Sequence, residues 1–220
     1  MKTVIFDLDG TLADTSGDLI AAANACFIDM GHGALLDEVD DQLTAFHGGR
    51  AMLRLGFSRL GSVDEGQIDA QYPVFIRHYD QTIDAKTTLY PGAIEAVEAL
   101  RSAGYGVGIC TNKPEALAEK LMQRLGVRDM FSALLGADTL PVRKPDPAHY
   151  FETVKRVGGD PARSLLVGDT ETDAKTARAA GVPIILVEFG PEGPGIERLQ
   201  PDAMLPAYTS LGTIVNRLIG

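Results

Sequence analysis

Tryptophan is absent from this 220-residue chain, and only two cysteines occur, Cys26 and Cys110, with no CxxC spacing. Two isolated cysteines make neither a disulfide framework nor a thiolate zinc knuckle. Positive charge is also scarce: 20 Lys and Arg stand against 30 Asp and Glu, a net charge of -10. That deficit argues against a nucleic-acid surface, which needs a clustered positive field. It leaves room for an anionic small molecule, because a local metal ion or lysine overrides the global field. No uninterrupted apolar run reaches the length of a membrane span. The opening MKTVIFDLDG meets an aspartate too early to hold a signal-peptide core. Internal repeats and low-complexity tracts are lacking as well. The expectation is a soluble, reduced, cytoplasmic protein with neither a membrane nor a nucleic acid as partner.

What is present is a normal core composition, 45% hydrophobic, and one conspicuous stretch, VIFDLDGTLADT at positions 4 to 15. An apolar run over 3–8 reads as a buried strand, and it ends in Asp7 and Asp9. In a strand, positions i and i+2 share a side. Two like charges set there are unfavourable unless a cation or a wet surface relieves them.

Further along, the pattern predicts two kinds of region. From Thr15 to about Asp84, apolar residues recur at helical spacing in four stripes. They run through Leu19–Met30, Leu36–Phe46, Met52–Leu60 and Tyr72–Tyr79. From Pro91 onward, helices and short apolar strands alternate. The strands are VGIC, FSALLGAD, SLLVGD and PIILVE, and Asp146 and Pro147 open one of the helices. The Gly- and Pro-rich tail over 190–206 reads as loop, followed by a closing helix. Alternating units of this kind predict an α/β fold, a Rossmann-like parallel sheet core covered by helices on both faces. Four helical stripes in one block suggest a small helical domain, a cap, inserted after the first strand. The expected division is core at 1–14, cap at 15–84 and core again at 85–220.

Ligands in such sheets bind beyond the carboxyl ends of the strands. Those ends carry Asp7 and Asp9, then Thr111 and Asn112, then Asp169 with Asp173 behind it; Lys144 precedes a helix nearby in sequence. Singly, each has an ordinary structural reading. Asp169, Asp173 or Thr111 could cap a helix, and Lys144 could be a solvated lysine. Jointly, several carboxylates converging on one crevice call for a divalent cation. Oxygen-only ligands favour magnesium over zinc. A helix N-terminus with Thr111 and Asn112 beside a lysine adds an anion site. Metal, lysine, backbone donors and a carboxylate nucleophile together make a phosphoryl-transfer site. GYGVG, Gly104 to Gly108, precedes its strand, so it is no dinucleotide fingerprint. His32, His78 and His149 lack metal-ligand spacing.

DLDGTLADT, TNK, KPDP and GDTETD occur in that order. The chain thereby resembles the haloacid dehalogenase-like hydrolase superfamily, in its phosphoglycolate phosphatase-like branch, over nearly its whole length. The resemblance implies Asp7 as nucleophile and Asp9 as general acid and base, an acid that dehalogenases of the superfamily generally lack. It implies a magnesium ion on the Asp7 carboxylate, the Asp9 carbonyl and Asp169, with Asp173 on the metal through water or just outside it. Thr111 and the Asn112 amide would hold phosphoryl oxygens, and Lys144 would offset charge on Asp7 and the phosphate. In the cap, FHGGR suggests Arg50 and His47 as contacts for a substrate carboxylate. The alternative there is a plain helix break with Arg50 as a surface charge. The activity implied is a magnesium-dependent phosphatase acting on a small phosphorylated metabolite through an aspartyl-phosphate, with phosphoglycolate favoured. A sugar-phosphate mutase of the same branch shares every core residue, and a non-catalytic regulatory protein would keep only the fold.

Overall fold

The first apolar run, TVIF, forms strand β1 (Thr3–Phe6), with every side chain buried, in the computed structural model, which describes residues 1–220. The chain continues through β2 (Ala13–Asp14), α1 (Ser16–Asp29), α2 (Gln42–Phe46), α3 (Gly49–Arg59), α4 (Glu65–Gln81) and β3 (Thr88–Leu89). It then alternates through α5 (Ala93–Ser102), β4 (Gly106–Cys110), α6 (Glu115–Arg124), β5 (Ala133–Leu135), α7 (Pro147–Val157), β6 (Ser164–Gly168) and α8 (Glu171–Ala180). It closes with β7 (Ile184–Val187), β8 (Ala203–Leu205) and α9 (Leu211–Ile219). Two compact units result: Met1–Ala13 with Leu89–Gly220, and Asp14–Thr88.

In the larger unit six strands form one sheet in the order β5-β4-β1-β6-β7-β8, and every pairing is parallel. β1 lies inside it, with Ile5 opposite Gly108 on one side and Leu166 on the other. Ile5 and Leu166 pack into a cluster with Tyr150 and Val154 of α7 and Ala174 and Ala177 of α8. Val4, Phe6, Leu165 and Val167 point the other way and are equally buried, on the side packed by α5 and α9. Each such side chain contributes roughly 1.5–3 kcal/mol by leaving water. This doubly covered parallel sheet is the α/β class that the alternating pattern predicts. Two glycines of GYGVG serve packing: a Cβ at Gly106 would stand 2.5 Å, and one at Gly108 2.7 Å, from Val157 of α7.

Two expectations for this unit need correction. The first strand stops at Phe6 instead of running to residue 8, so Asp7 and Asp9 are not neighbours on one strand face. Leu8 heads a tight turn instead: its carbonyl accepts from the N–H groups of Thr11, Leu12 and Ala13. The tail over 190–206 is not all loop. Residues 193–199 form a 3₁₀ helix, and Ala203–Leu205 adds an edge strand. At three residues between Pro201 and Pro206, this strand is too short to show a period.

The smaller unit is four helices, with α1 packed on α4 and α3. Phe27 meets Phe57 edge-on at 5.3 Å. The stripe over Leu36–Phe46 does not make one helix; only Gln42–Phe46 is helical. Side chains take the backbone bonds that a helix would need. Asn24 binds the N–H and C=O of Leu36 and the N–H of Leu35, and the Asp37 carboxylate accepts from Val39 and Asp40. Buried Asp18 accepts the N–H groups of Lys86 and Thr87 and the Thr87 hydroxyl, tying the start of α1 to the segment by which the chain leaves the unit. No helix of the chain is long and apolar enough to cross a membrane.

Candidate active site

The carboxyl end of the sheet in the larger unit gathers the acids. Asp7 directly follows β1 and stays in the ladder, its N–H bonded to the carbonyl of Val167 at 2.9 Å. Asp169 directly follows β6, and Asp173 lies in the first turn of α8. Oxygens of Asp7, Asp169 and Asp173 all lie within 4.8 Å of one another, and all three residues are buried. Gly168 makes this approach feasible, because a Cβ there would stand 2.4 Å from the Asp173 carboxyl carbon. Gly10, at φ 77°, lets the chain reverse just after Asp9.

Lys144 stands between two of these acids. Its Nζ lies 2.7 Å from Asp173 and 3.0 Å from Asp7, and the side chain is only 1% exposed, which leaves bulk water no part in balancing the charge. Asp173 is heavily engaged: its second oxygen accepts from the Thr170 N–H at 3.1 Å and the Thr170 hydroxyl at 2.8 Å. Asp169 accepts from the Thr11 hydroxyl at 3.0 Å.

One buried ammonium does not balance three buried carboxylates. Burial pushes the Asp7 carboxyl up to about 7; Lys144 pulls it down, while Asp173 and Asp9 push it up. Asp169 is likewise raised well above its ordinary value, by burial first and then by Asp173 and Asp7. Burial alone would lower Lys144, but Asp173 and Asp7 hold its ammonium well above the usual lysine range. A cluster of hard oxygen donors short of positive charge fits a divalent cation. A zinc site would call for nitrogen or sulfur donors.

Asp9 stands apart from this cluster. Its carboxylate receives the Nζ of Lys113 at 2.7 Å, and that lysine side chain is 3% exposed, which makes the pair more than a surface contact. Lys113, the lysine of TNK, has no role in the sequence-based expectation. The only local signal is a lysine three residues past the end of β4. Thr111 is buried, and its hydroxyl accepts from the Lys113 N–H at 3.1 Å, so it ties the loop before α6 instead of capping the helix itself. Asn112 is exposed and donates its side-chain amide to the Lys144 carbonyl at 3.0 Å. Cys110 lies buried beside His149 Nδ1 at 3.4 Å. Burial pushes its thiol up to about 12, which suits packing and not nucleophilic chemistry.

Asp7, Asp9, Thr111, Asn112, Lys144, Asp169 and Asp173 therefore share the larger unit. His47 and Arg50 belong to the smaller one. There His47 and Gly48 separate α2 from α3, and Arg50 lies in the first turn of α3, exposed, paired with Asp69 and stacked over the Tyr72 ring at 4.5 Å. His47 is exposed.

Fold and site define a class first: a doubly wound α/β protein with buried carboxylates gathered at the carboxyl end of its sheet. The haloacid dehalogenase-like hydrolase family model matches residues 1–181. The phosphoglycolate phosphatase of Mesorhizobium japonicum is 39% identical over 98% of this chain and 96% of its own length. That of Agrobacterium fabrum is 39% identical over 94% of this chain and 89% of its own. A crystal structure described as a predicted phosphoglycolate phosphatase from Haemophilus somnus superposes with a TM-score of 0.82 at 26% identity, covering 97% of both chains. The chain belongs to the haloacid dehalogenase-like hydrolase family, among its phosphatases.

Proposed function

We propose that this chain is a magnesium-dependent phosphatase that hydrolyses 2-phosphoglycolate, or a closely similar small phosphomonoester, in the cytoplasm. The observation that carries the reaction class is Lys144 wedged between Asp7 and Asp173 in a buried carboxylate cluster short of positive charge. The substrate rests on similarity to phosphoglycolate phosphatases that match over nearly full length.

In this reading the Asp7 carboxylate, the Asp9 carbonyl and Asp169 would hold Mg2+, which when bound neutralises phosphoryl charge. Asp173 acts chiefly as counter-charge to Lys144, since its oxygens already take that ammonium and Thr170. An oxygen of Asp7 attacks phosphorus, and the bond from phosphorus to the leaving oxygen breaks. Asp9 gives that oxygen its proton, so glycolate departs as the alcohol. Water then attacks the aspartyl-phosphate, Asp9 takes the water's proton, and phosphate leaves a free Asp7 carboxylate. Lys144 offsets the growing charge, and Thr111 and the Asn112 amide hold the phosphoryl oxygens. The unit Asp14–Thr88 serves as the cap that excludes bulk water from bound substrate. His47 and Arg50 are its candidates for the substrate carboxylate, and Arg50 would exchange Asp69 for it.

The test is phosphate release from a panel of phosphomonoesters with Mg2+. The reading expects 2-phosphoglycolate to lead, with activity lost on chelation and in Asp7→Asn. Equal turnover of unrelated sugar phosphates would remove the substrate assignment and leave the reaction class. Undiminished activity in Asp7→Asn would remove Asp7 as the nucleophile and with it the aspartyl-phosphate route.

A further inference from the structure

The last segment of the chain reaches back into the site. Tyr208 is buried, and its hydroxyl donates to the backbone carbonyl of Thr11 at 2.7 Å, across 197 positions of sequence. The same Thr11, wholly buried in the turn that follows Asp9, donates its own hydroxyl to Asp169 at 3.0 Å. Two hydrogen bonds in series therefore connect the start of the closing helical segment to one of the clustered carboxylates. The next carbonyl of the turn, Leu12, is held in the same manner by the N–H of Tyr90 at 3.0 Å. The two tyrosines share a packing partner: the Phe189 ring lies 4.7 Å from Tyr90 and 5.4 Å from Tyr208. Consecutive carbonyls of one six-residue turn are thus fixed by two residues of a single aromatic cluster outside it.

We propose that Tyr208 is a positioning residue for the metal site: through the Thr11 carbonyl it fixes the turn whose hydroxyl orients Asp169. The inference rests on the reading of Asp7 and Asp169 as metal ligands. Groups that orient metal ligands from outside typically govern affinity by tenfold or more, and Tyr208 acts one bond further out. A smaller effect, about three- to tenfold, follows for its loss. Tyr208→Phe keeps the ring in the cluster and removes only the donor, leaving a buried carbonyl without that partner.

The experiment is calorimetric titration of Mg2+ into the purified full chain and into Tyr208→Phe, Thr11→Val and the double variant. Melting curves in chelator verify that each is folded. Tyr208→Phe should bind Mg2+ about three- to tenfold more weakly, and Thr11→Val more weakly still. In the Thr11→Val background the tyrosine change should cost nothing further, because its route to Asp169 is already cut. Thr11→Ser, which keeps the hydroxyl, should bind nearly as the parent does. Unchanged affinity in Tyr208→Phe overturns the inference, as do losses in the two single variants that add independently. A parent chain that binds no Mg2+ overturns the proposed function itself, and with it this inference.

Discussion

Lys113 and Asp9 form a nearly buried ion pair at 2.7 Å, between a residue just after β4 and one in the turn after β1. The pair holds the Asp9 carboxylate outside the cluster of Asp7, Asp169 and Asp173. Lys113→Met should lower kcat by at least tenfold, since an acid that has lost its anchor is no longer in reach of one fixed oxygen. Stability should fall by on the order of 2 kcal/mol, less than for a fully buried pair because Asp9 keeps some water. Rapid kinetics and urea unfolding of the variant check both. Parent-like kcat would show that the pair is structural only.

Lys144 carries a larger load. Lys144→Met would leave Asp7 and Asp173 without their buried cation, and such losses run to about 3–5 kcal/mol. The penalty depends on pH with a definite sign. Lys144 lowers the Asp7 value, so without it Asp7 titrates still higher than about 7. Protonation then relieves the cluster, and the deficit against the parent should shrink as pH falls from 8 to 5. Denaturant unfolding at both pH values, in chelator, measures it. A deficit that grows toward acid would contradict the assignment.

Metal binding should show the complementary trend. Asp7 and Asp169 have folded values above their unfolded ones, so each stabilises the metal-free chain below about 3.8 and loses that contribution as pH rises through its raised folded value, which for Asp7 is about 7. Mg2+ competes with those protons. The rise in Tm on adding Mg2+ should therefore be small at pH 5.5 and increase through pH 8, with protons released on binding near pH 7. Asp169→Asn should flatten this dependence. Thermal melts with and without Mg2+ across that range decide it.

Gly168 offers a steric test. An Ala Cβ there would stand 2.4 Å from the Asp173 carboxyl carbon and 2.7 Å from its oxygen, so the carboxylate and its Lys144 partner must move. Overpacking of this kind costs about 1–3 kcal/mol. A shift near 1 Å at reacting groups can cost about a hundredfold in rate. Gly168→Ala should thus lose activity out of proportion to its change in Tm, read from kcat and melting curves together.

Much of the larger unit was legible because each strand of its sheet interior is a short apolar run ending at a polar residue. Asp7, Asp169 and Thr111 mark those ends, so order along the chain already implied convergence. Other features lay beyond local pattern. β8 has three residues and no period to read. Leu36 is apolar and buried, yet Asn24 holds its backbone away from a helix, which spacing alone does not reveal. Lys113 and Tyr208 act on partners 104 and 197 positions away, through contacts that exist only once the sheet is assembled.

The central claim is that Asp7 takes the phosphoryl group. Rapid mixing of the chain with Mg2+ and 2-phosphoglycolate labelled in phosphorus, followed by an acid quench and peptide mapping, tests it most directly. The account predicts transient label on the peptide containing Asp7, appearing before free phosphate and absent in Asp7→Asn. Phosphate release with no labelled protein at any time, or label settled on another residue, would contradict it.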